Sequence, residues 1–333
     1  MRSSPSSPSS REWRTSPSPC CCAISWSGRC WWCSCPICAG FNQTEKSTRF
    51  LLEAGAFFAI IRGDSAKEGN AVLQREKLVS ALKGDFFKGN LVLLEEAAST
   101  NLTLKELAAK GAPEGTAVFC ERQSAGRGRL GRSFHSPAGE GIYLSVLLRP
   151  RGELTQAAAL TSLAGVCVAQ AIEDVCGLAP GIKWVNDVQV GGKKVCGILI
   201  ESVIENGVPA WLVLGIGINV NNDPSAFPPE LQEVATSLRA EAGQPFERER
   251  LAAALLDRLE ESYRGFPQNL PLIRQECRRR MVTLGQRVVI RSQEECGVFL
   301  AEDIDEQFGL IVRDANGERQ TLRSGEVSVR MAP

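Results

Sequence analysis

The chain has 333 residues, 44% of them hydrophobic, enough for one sizeable core and a small additional domain. Lys plus Arg and Asp plus Glu both number 38, so no net field draws nucleic acid to the molecule as a whole. The single histidine, His135, argues against a histidine-based triad or a multi-histidine metal site.

Residues 1–19 are mostly Ser, Pro and Arg, a composition that cannot bury a core. CCCAISWSGRCWWCSCPICAGF then gathers seven of the 13 cysteines. A zinc site on Cys30, Cys33, Cys35 and Cys38 is disfavoured, because a single residue between the two C-x-x-C pairs leaves no knuckle to wrap a tetrahedral ion. Gly28-Arg29 interrupts an apolar run already short for a membrane span. In residues 41–70, two helices joined by a tight turn do not fit before Gly63, so no helix-turn-helix is expected. Residues 1–70 therefore read as disordered or as a non-native extension. The next methionine after Met1 is Met281, so a shorter native chain would start at an internal non-Met codon near Val72. The other six cysteines (Cys120, Cys167, Cys176, Cys196, Cys277, Cys296) stand singly among apolar neighbours, as buried thiols of a reducing compartment do. A cytoplasmic protein is expected.

A continuous domain begins near residue 76. EKLVSALKG predicts a short helix and NLVLLEE a strand. Ser99, Thr100 and Asn101 open a helix, LTLKELAAKG, closed by Gly111. Ser99 and Thr100 suit N-capping, and the same turn offers hydroxyls and backbone N–H groups to a ligand. TAVFCERQ is the next strand, and it runs into ERQSAGRGRLGRSFHSP, where Gly126, Gly128 and Gly131 spell G-x-G-x-x-G. A dinucleotide fingerprint needs a helix after these glycines. Pro137, Gly139 and Gly141 forbid one, the strand IYLSVLLRP follows, and no G-K-[ST] completes a Walker loop. What remains is a mobile loop that interleaves glycine with Arg127, Arg129 and Arg132, suited to closing over a phosphate.

The amphipathic helix LTQAAALTSLAGVCVAQAIEDVCG leads to GIKWVNDVQVGGKKVCGILIE. This reads as a hairpin: strand GIKW, a turn through Asn186-Asp187, a short strand, Gly191-Gly192, and a strand opening at Lys193 and Lys194. WLVLGIGINVNN follows as a buried strand that reaches Gly217 and Asn219. QPFERERLAAALLDRLEESYRGF and residues 269–281 are helical, and five short β runs separated by Gly-containing turns start after Thr283. The fold class is α+β, a mixed central sheet with flanking helices plus a small C-terminal barrel. The expected units are an extension, 1–70, a catalytic domain, 76–281, and a C-terminal domain, 282–333.

Taken in order, S-T-N, Q-x-A-G-R-G-R-x-G-R, K-W-x-N-D, K-x-x-G-I-L-I-E and G-I-G-I-N-V resemble the biotin–protein ligase family from about residue 76 to 330. The resemblance implies the catalytic fold shared with lipoate ligases and class II aminoacyl-tRNA synthetases, and an SH3-like C-terminal barrel. It implies two steps. Biotin carboxylate attacks the ATP α-phosphate to give biotinyl-5′-AMP and pyrophosphate, and a lysine of a biotin carboxyl carrier then takes the biotinyl group. ATP and biotin are the substrates, with Mg²⁺ as the accompanying ion.

By the same resemblance, Ser99, Thr100, Asn101 and Gln123 contact biotin, while Arg127, Gly128 and Arg129 order over biotin and the adenylate. Gly126, Gly131 and Arg132 support that loop. Lys194 meets the biotin carboxylate and adenylate phosphate, and Asn186 and Asp187 lie at the active site. Asp187 helps to deprotonate the incoming lysine or holds Mg²⁺, and Asn219 belongs to the metal and phosphate region. Arg129, Lys194 and Asp187 are thus the expected catalytic groups. Two positions depart from the family: Val185 stands where proline is usual, and Ala98 where Asp is frequent. The alternatives are a lipoate or octanoate transferase, which should lack Q-x-A-G-R-G-R, and a biotin-sensing repressor, which needs an N-terminal DNA-binding domain. The expected partner is a carboxylase carrier, with homodimerisation possible and neither DNA nor membrane binding.

Overall fold

Period-two alternation in the strands sorts side chains onto two faces, and that sorting places both the core and the site. The computed structural model describes residues 72–150, 157–205, 208–291, 296–323 and 328–331. The expectations for residues 1–70 lie outside these.

A short helix, α1 (Arg75–Ala81), precedes β1 (Leu91–Ala97), α2 (Thr100–Ala109), β2 (Ala117–Gln123) and β3 (Gly141–Leu148). The long helix α3 (Ala157–Cys176) leads to β4 (Gly181–Lys183), β5 (Asp187–Val190), β6 (Lys193–Glu205) and β7 (Val208–Asn219). Two short helices, α4 (Pro229–Gln232) and α5 (Leu238–Ala242), are followed by α6 (Arg248–Arg264) and α7 (Leu270–Arg280). The strands form a seven-stranded sheet in the order β1-β2-β3-β7-β6-β5-β4. β1 and β2 run parallel across the α2 crossover, and the other pairs are antiparallel. The sheet is mixed, as expected.

On β3, Ile142, Leu144, Val146 and Leu148 face the main core, as do Leu212, Leu214, Ile216 and Ile218 on β7. Leu160, Leu163 and Val168 of α3 and Leu251, Leu255 and Leu259 of α6 close over them. Truncating one such leucine to alanine costs about 2–5 kcal/mol. The segment Ala158–Cys176 is long and apolar enough to cross a membrane by composition, but it is largely buried, packed on β6 and on α6 and α7. The alternate face of the sheet carries Tyr143, Ser145, Gly215 and Gly217, and α2 packs on β2, β3 and β7.

β8 (Arg287–Arg291), β9 (Cys296–Ile304), β10 (Leu310–Arg313), β11 (Arg319–Leu322) and β12 (Ser328–Met331) form an antiparallel sheet in the order β11-β10-β9-β8-β12. This is the small barrel-like C-terminal unit that the five β runs predict. It is joined to the larger sheet by directed bonds. The buried Trp184 indole Nε1–H donates to Phe308 O (3.0 Å), and the Trp184 backbone N–H donates to Thr283 Oγ1 (3.0 Å). Val282 N–H donates to Ile182 O (3.0 Å).

Of the scattered cysteines, Cys120, Cys167, Cys196 and Cys277 are free and buried, and Cys176 is half-buried and free. Burial pushes the Cys120 thiol up to about 11 and the Cys167 thiol up to about 12, so both are unreactive at neutral pH.

Candidate active site

A cavity of 940 Å³ opens on the sheet face opposite the main core. Its floor comes from the G-I-G-I-N run: alternation sends Ile216 and Ile218 to the core and leaves Gly215 and Gly217 beneath the cavity. The room is used at once. A Cβ on Gly215 would overlap Asn101 Oδ1, and one on Gly217 would lie 2.5 Å from Phe134 Cε1.

One end of the cavity is polar and uncharged. Ser99, Thr100, Asn101 and Gln123 all line it. Ser99 is the N-cap residue of α2, yet its hydroxyl makes no capping bond. The cap comes from a neighbouring strand, where Gln123 Oε1 accepts from Thr100 N–H (2.9 Å) and Thr100 Oγ1 (3.2 Å). The expected local capping is thus replaced by a tertiary one, and Ser99 lines the cavity without a capping bond. Gln123 Nε2 donates to Ser136 Oγ (2.9 Å), and Asn101 Nδ2 donates to Glu201 Oε2 (2.8 Å). Each amide keeps one further N–H, so both present donors. Ser145, fully buried, stands between Thr100 Oγ1 (2.7 Å) and Asn101 Oδ1 (2.5 Å).

The rest of the lining is cationic, with Arg127 reaching toward the polar end through Glu201. Arg127, Gly128, Arg129 and Arg132 line the cavity from a tight hairpin, in which Gly128 N–H donates to Arg132 O (2.7 Å) and Phe134 N–H to Gly126 O (2.9 Å). Gly126 and Gly131 are not lining residues. A Cβ on Gly126 would overlap Phe134 O, and Gly131 has φ 72°, so these two shape the hairpin rather than touch what it covers. Arg129 Nη1 donates to Asn186 Oδ1 (3.2 Å). Burial lowers the affinity of Arg129 for its proton, Asp187 opposes that and Arg132 adds to it. Such a desolvated guanidinium gains most when an anion arrives.

Lys194 Nζ lies 2.7 Å from Asp187 Oδ1 and 6.0 Å from the centroid of the Phe134 ring. Asp187 is not in the turn where the sequence placed it. The turn is Trp184–Asn186, and Asp187 opens β5, paired with Lys183 on one side and Gly197 on the other. Sheet pairing on both flanks overrides the turn preference of Asp. Asn186 is held by reciprocal contacts with Ile198, Nδ2 donating to its carbonyl (3.0 Å) and Asn186 O accepting its N–H (2.9 Å). Asn219 does not line the cavity. It is buried, and its Nδ2 donates to Thr236 O (3.0 Å), which anchors the segment carrying α4.

Among the described residues, no group of three or more His, Cys, Asp or Glu side chains could hold a metal. Asp187 Oδ1 is buried, in ion contact with Lys194 but without an aligned hydrogen-bond donor. Such an oxygen fits one protein contact to a Mg²⁺ whose other ligands are phosphates and water, and does not fit an all-protein cage.

Compared with known proteins, the chain is 33% identical over 261 residues to the biotin--[acetyl-CoA-carboxylase] ligase of Mycobacterium tuberculosis, spanning 76% of this chain and 92% of that one. The chain belongs to the biotin protein ligase family. The pattern of the Biotin/lipoate A/B protein ligase family matches residues 94–219, and that of the Biotin protein ligase C terminal domain matches residues 283–330. The bifunctional ligase/repressor BirA of Bacillus subtilis is 40% identical over 194 residues, 58% of this chain, and the match spans only 60% of that relative. Among solved structures, the biotin protein ligase from Aquifex aeolicus in complex with biotin and ATP superposes with a TM-score of 0.64 at 32% identity, covering 73% of this chain and 99% of that one.

For a biotin protein ligase, the site residues expected from sequence converge except for Gly126, Gly131 and Asn219. Sequence reasoning missed Phe134 among the lining residues and Ser145 behind them, and it gave no individual role to Lys183, Trp184 or Glu201, which it quoted only as parts of motifs. A signal existed for Ser145, a polar residue on the alternate face of an otherwise apolar strand. Glu201 closes the motif K-x-x-G-I-L-I-E, but its partners are distant in sequence.

Proposed function

We propose that this chain activates biotin with ATP to biotinyl-5′-AMP and transfers the biotinyl group to a lysine of a biotin carboxyl carrier. The observation that carries the reading is the division of one cavity into two chemistries. At one end sit the donors of Asn101 and Gln123 and the Ser99 hydroxyl, with Arg127 drawn beside them by Glu201; at the other, Arg129 and Lys194, held by Asn186 and Asp187. A ureido ring needs such hydrogen-bonding partners once buried, and a carboxylate meeting a phosphate needs cations.

In the first step a biotin carboxylate oxygen bonds to the α-phosphorus and the bond to the β-phosphate bridging oxygen breaks, releasing pyrophosphate. Arg129 and Lys194 stabilise the charge on the phosphate oxygens at that moment. In the second step the carrier amine bonds to the acyl carbon, AMP leaves, and the amine loses a proton. Asp187 holds Lys194 in the free protein; as phosphate oxygens take over the ammonium, its carboxylate becomes available to accept that proton. In its alternative role, Asp187 would be the one protein contact of a bound Mg²⁺ that neutralises charge on the leaving pyrophosphate. The arginine hairpin, folded over the cavity, excludes water that would hydrolyse the mixed anhydride.

We assign the chemistry to residues 76–281 and a supporting role to 282–333. From the lack of a helix-turn-helix pattern in residues 41–70 we infer a ligase that does not bind DNA, and from the resemblance that pairing of two copies is open to it; a gel-shift assay with and without biotin and sedimentation check these. The free, buried thiols support a cytoplasmic location.

The deciding experiment is ATP–pyrophosphate exchange with biotin and, separately, with lipoate. Exchange should occur with biotin alone and fall by about 10²–10³ in Arg129→Ala and Lys194→Ala. Exchange with lipoate, or none with biotin, overturns the reading.

A further inference from the structure

We propose that Glu201 is a positioning residue of the biotin end, fixing which way the Asn101 amide faces and tethering the arginine hairpin through Arg127. The biotin part of this inference rests on the functional reading above. The tether does not.

Glu201 lies on the site face of β6, in register with Gly197, but does not itself line the cavity. Its side chain is only 18% exposed. Oε2 accepts from Asn101 Nδ2 (2.8 Å), and Oε1 accepts from Lys105 Nζ (2.5 Å) and Arg127 Nη1 (3.3 Å). A carboxylate only accepts, so it admits the amide nitrogen of Asn101 and rejects the oxygen. Ser145 then meets Asn101 Oδ1 (2.5 Å). With both ends assigned, the amide cannot turn over, and the hydrogen it keeps is a donor to whatever lies against it. Asn101 is 4% exposed, so a turned amide would set oxygen against oxygen in a nearly dry setting.

The two cations on Oε1 differ. Lys105 follows Asn101 by one helical turn on α2 and has a side chain 27% exposed, whereas Arg127 is 46% exposed and sits on the hairpin. Arg127 can therefore leave when a ligand draws it away, while Lys105 still balances the carboxylate. Burial alone would raise the Glu201 carboxyl, but Lys105, Asn101 and Arg127 outweigh it and hold it below the usual carboxylate range. It stays charged throughout the neutral range.

The test is Glu201→Gln in the full chain. A glutamine keeps the size but has a single acceptor oxygen, which the Lys105 ammonium claims, so its NH2 is left facing Asn101 Nδ2 and the ion pair to Arg127 is lost. The KM for biotin should rise about tenfold, the scale of one charge-assisted hydrogen bond, while kcat at saturating biotin changes less than about twofold. Amide hydrogen exchange over residues 126–134 of the ligand-free protein should quicken severalfold. An unchanged KM, or a fall in kcat alone, overturns the role at Asn101; unchanged exchange overturns the tether. If wild-type protein shows no biotin binding by calorimetry, the functional reading fails instead, and exchange still decides the tether. Should Glu201→Gln not fold, Arg127→Met removes the tether from its exposed end, and exchange in the hairpin must again quicken or the tether is overturned.

Discussion

A methyl group added to Gly217 would lie 2.5 Å from Phe134 Cε1, and the ring would have to move across the cavity floor. Overpacking of this kind costs about 1–3 kcal/mol, and here the cost falls on the site rather than on the core side of β7. Gly217→Ala should leave the melting temperature within a few degrees of wild type and weaken biotin binding about tenfold or more by calorimetry; equal binding would place Phe134 outside the working pocket. At this scale the sequence was informative wherever a motif carried its own spacing. Ser99, Thr100, Asn101, Gln123, Arg129 and Lys194 all reach the cavity. It was silent on Glu201 and Ser145, whose meaning lies in hydrogen bonds to a helix 100 and 44 residues away, respectively. It misplaced Asp187, because local preference predicts a turn while two flanking strands impose a ladder.

Helix α6 shows what elements contribute. Its buried leucines recur at the helical period, which is why it was legible in advance. Its first residue, Arg248, was not. That side chain is 3% exposed and donates to Glu121 Oε2 (2.9 Å) and Gly141 O (2.9 Å), so it pins the start of the helix to the ends of β2 and β3 next to the site. Glu121 Oε1 also accepts Leu73 N–H (2.5 Å). Arg248→Met leaves an uncompensated buried carboxylate and should cost about 3–5 kcal/mol in urea unfolding. Adding Glu121→Gln should return part of that loss, and strict additivity of the two would refute the pairing. An arginine at a helix start is unremarkable by periodicity, and only the folded contacts reveal its burial.

On the scale of the whole molecule, the C-terminal sheet is fastened to the edge of the larger one at Trp184, two residues before Asn186. Phe308 supplies the acceptor from a backbone position with φ 62°, uncommon for a bulky side chain, and is itself buried. Trp184→Phe deletes the donor and one of the two fused rings, leaving the Phe308 carbonyl unpaired at a cost of about 1–3 kcal/mol, with a cavity penalty added. We expect a lower melting temperature together with a reduced rate of pyrophosphate exchange, because the hairpin bearing Asn186 and Asp187 loses one anchor. A loss of stability with an unaltered rate would confine the C-terminal unit to structural support. Five β runs after Thr283 were readable from turn residues and alternation, but their attachment through a tryptophan indole was not, since K-W-x-N-D reads as a catalytic motif with no hint of a second partner.

The alternation of β7 makes pocket volume a matter of parity. Ile216 and Ile218 fill the core only because Gly215 and Gly217 alternate with them along the strand. A substitution can enlarge or shrink the cavity one residue at a time. A single inserted or deleted residue in this strand would instead exchange the two sets, pushing isoleucines into the space meant for the ligand and glycine voids into the interior. New substrates could thus arise here through point changes, while changes of length in β7 would abolish fold and binding together.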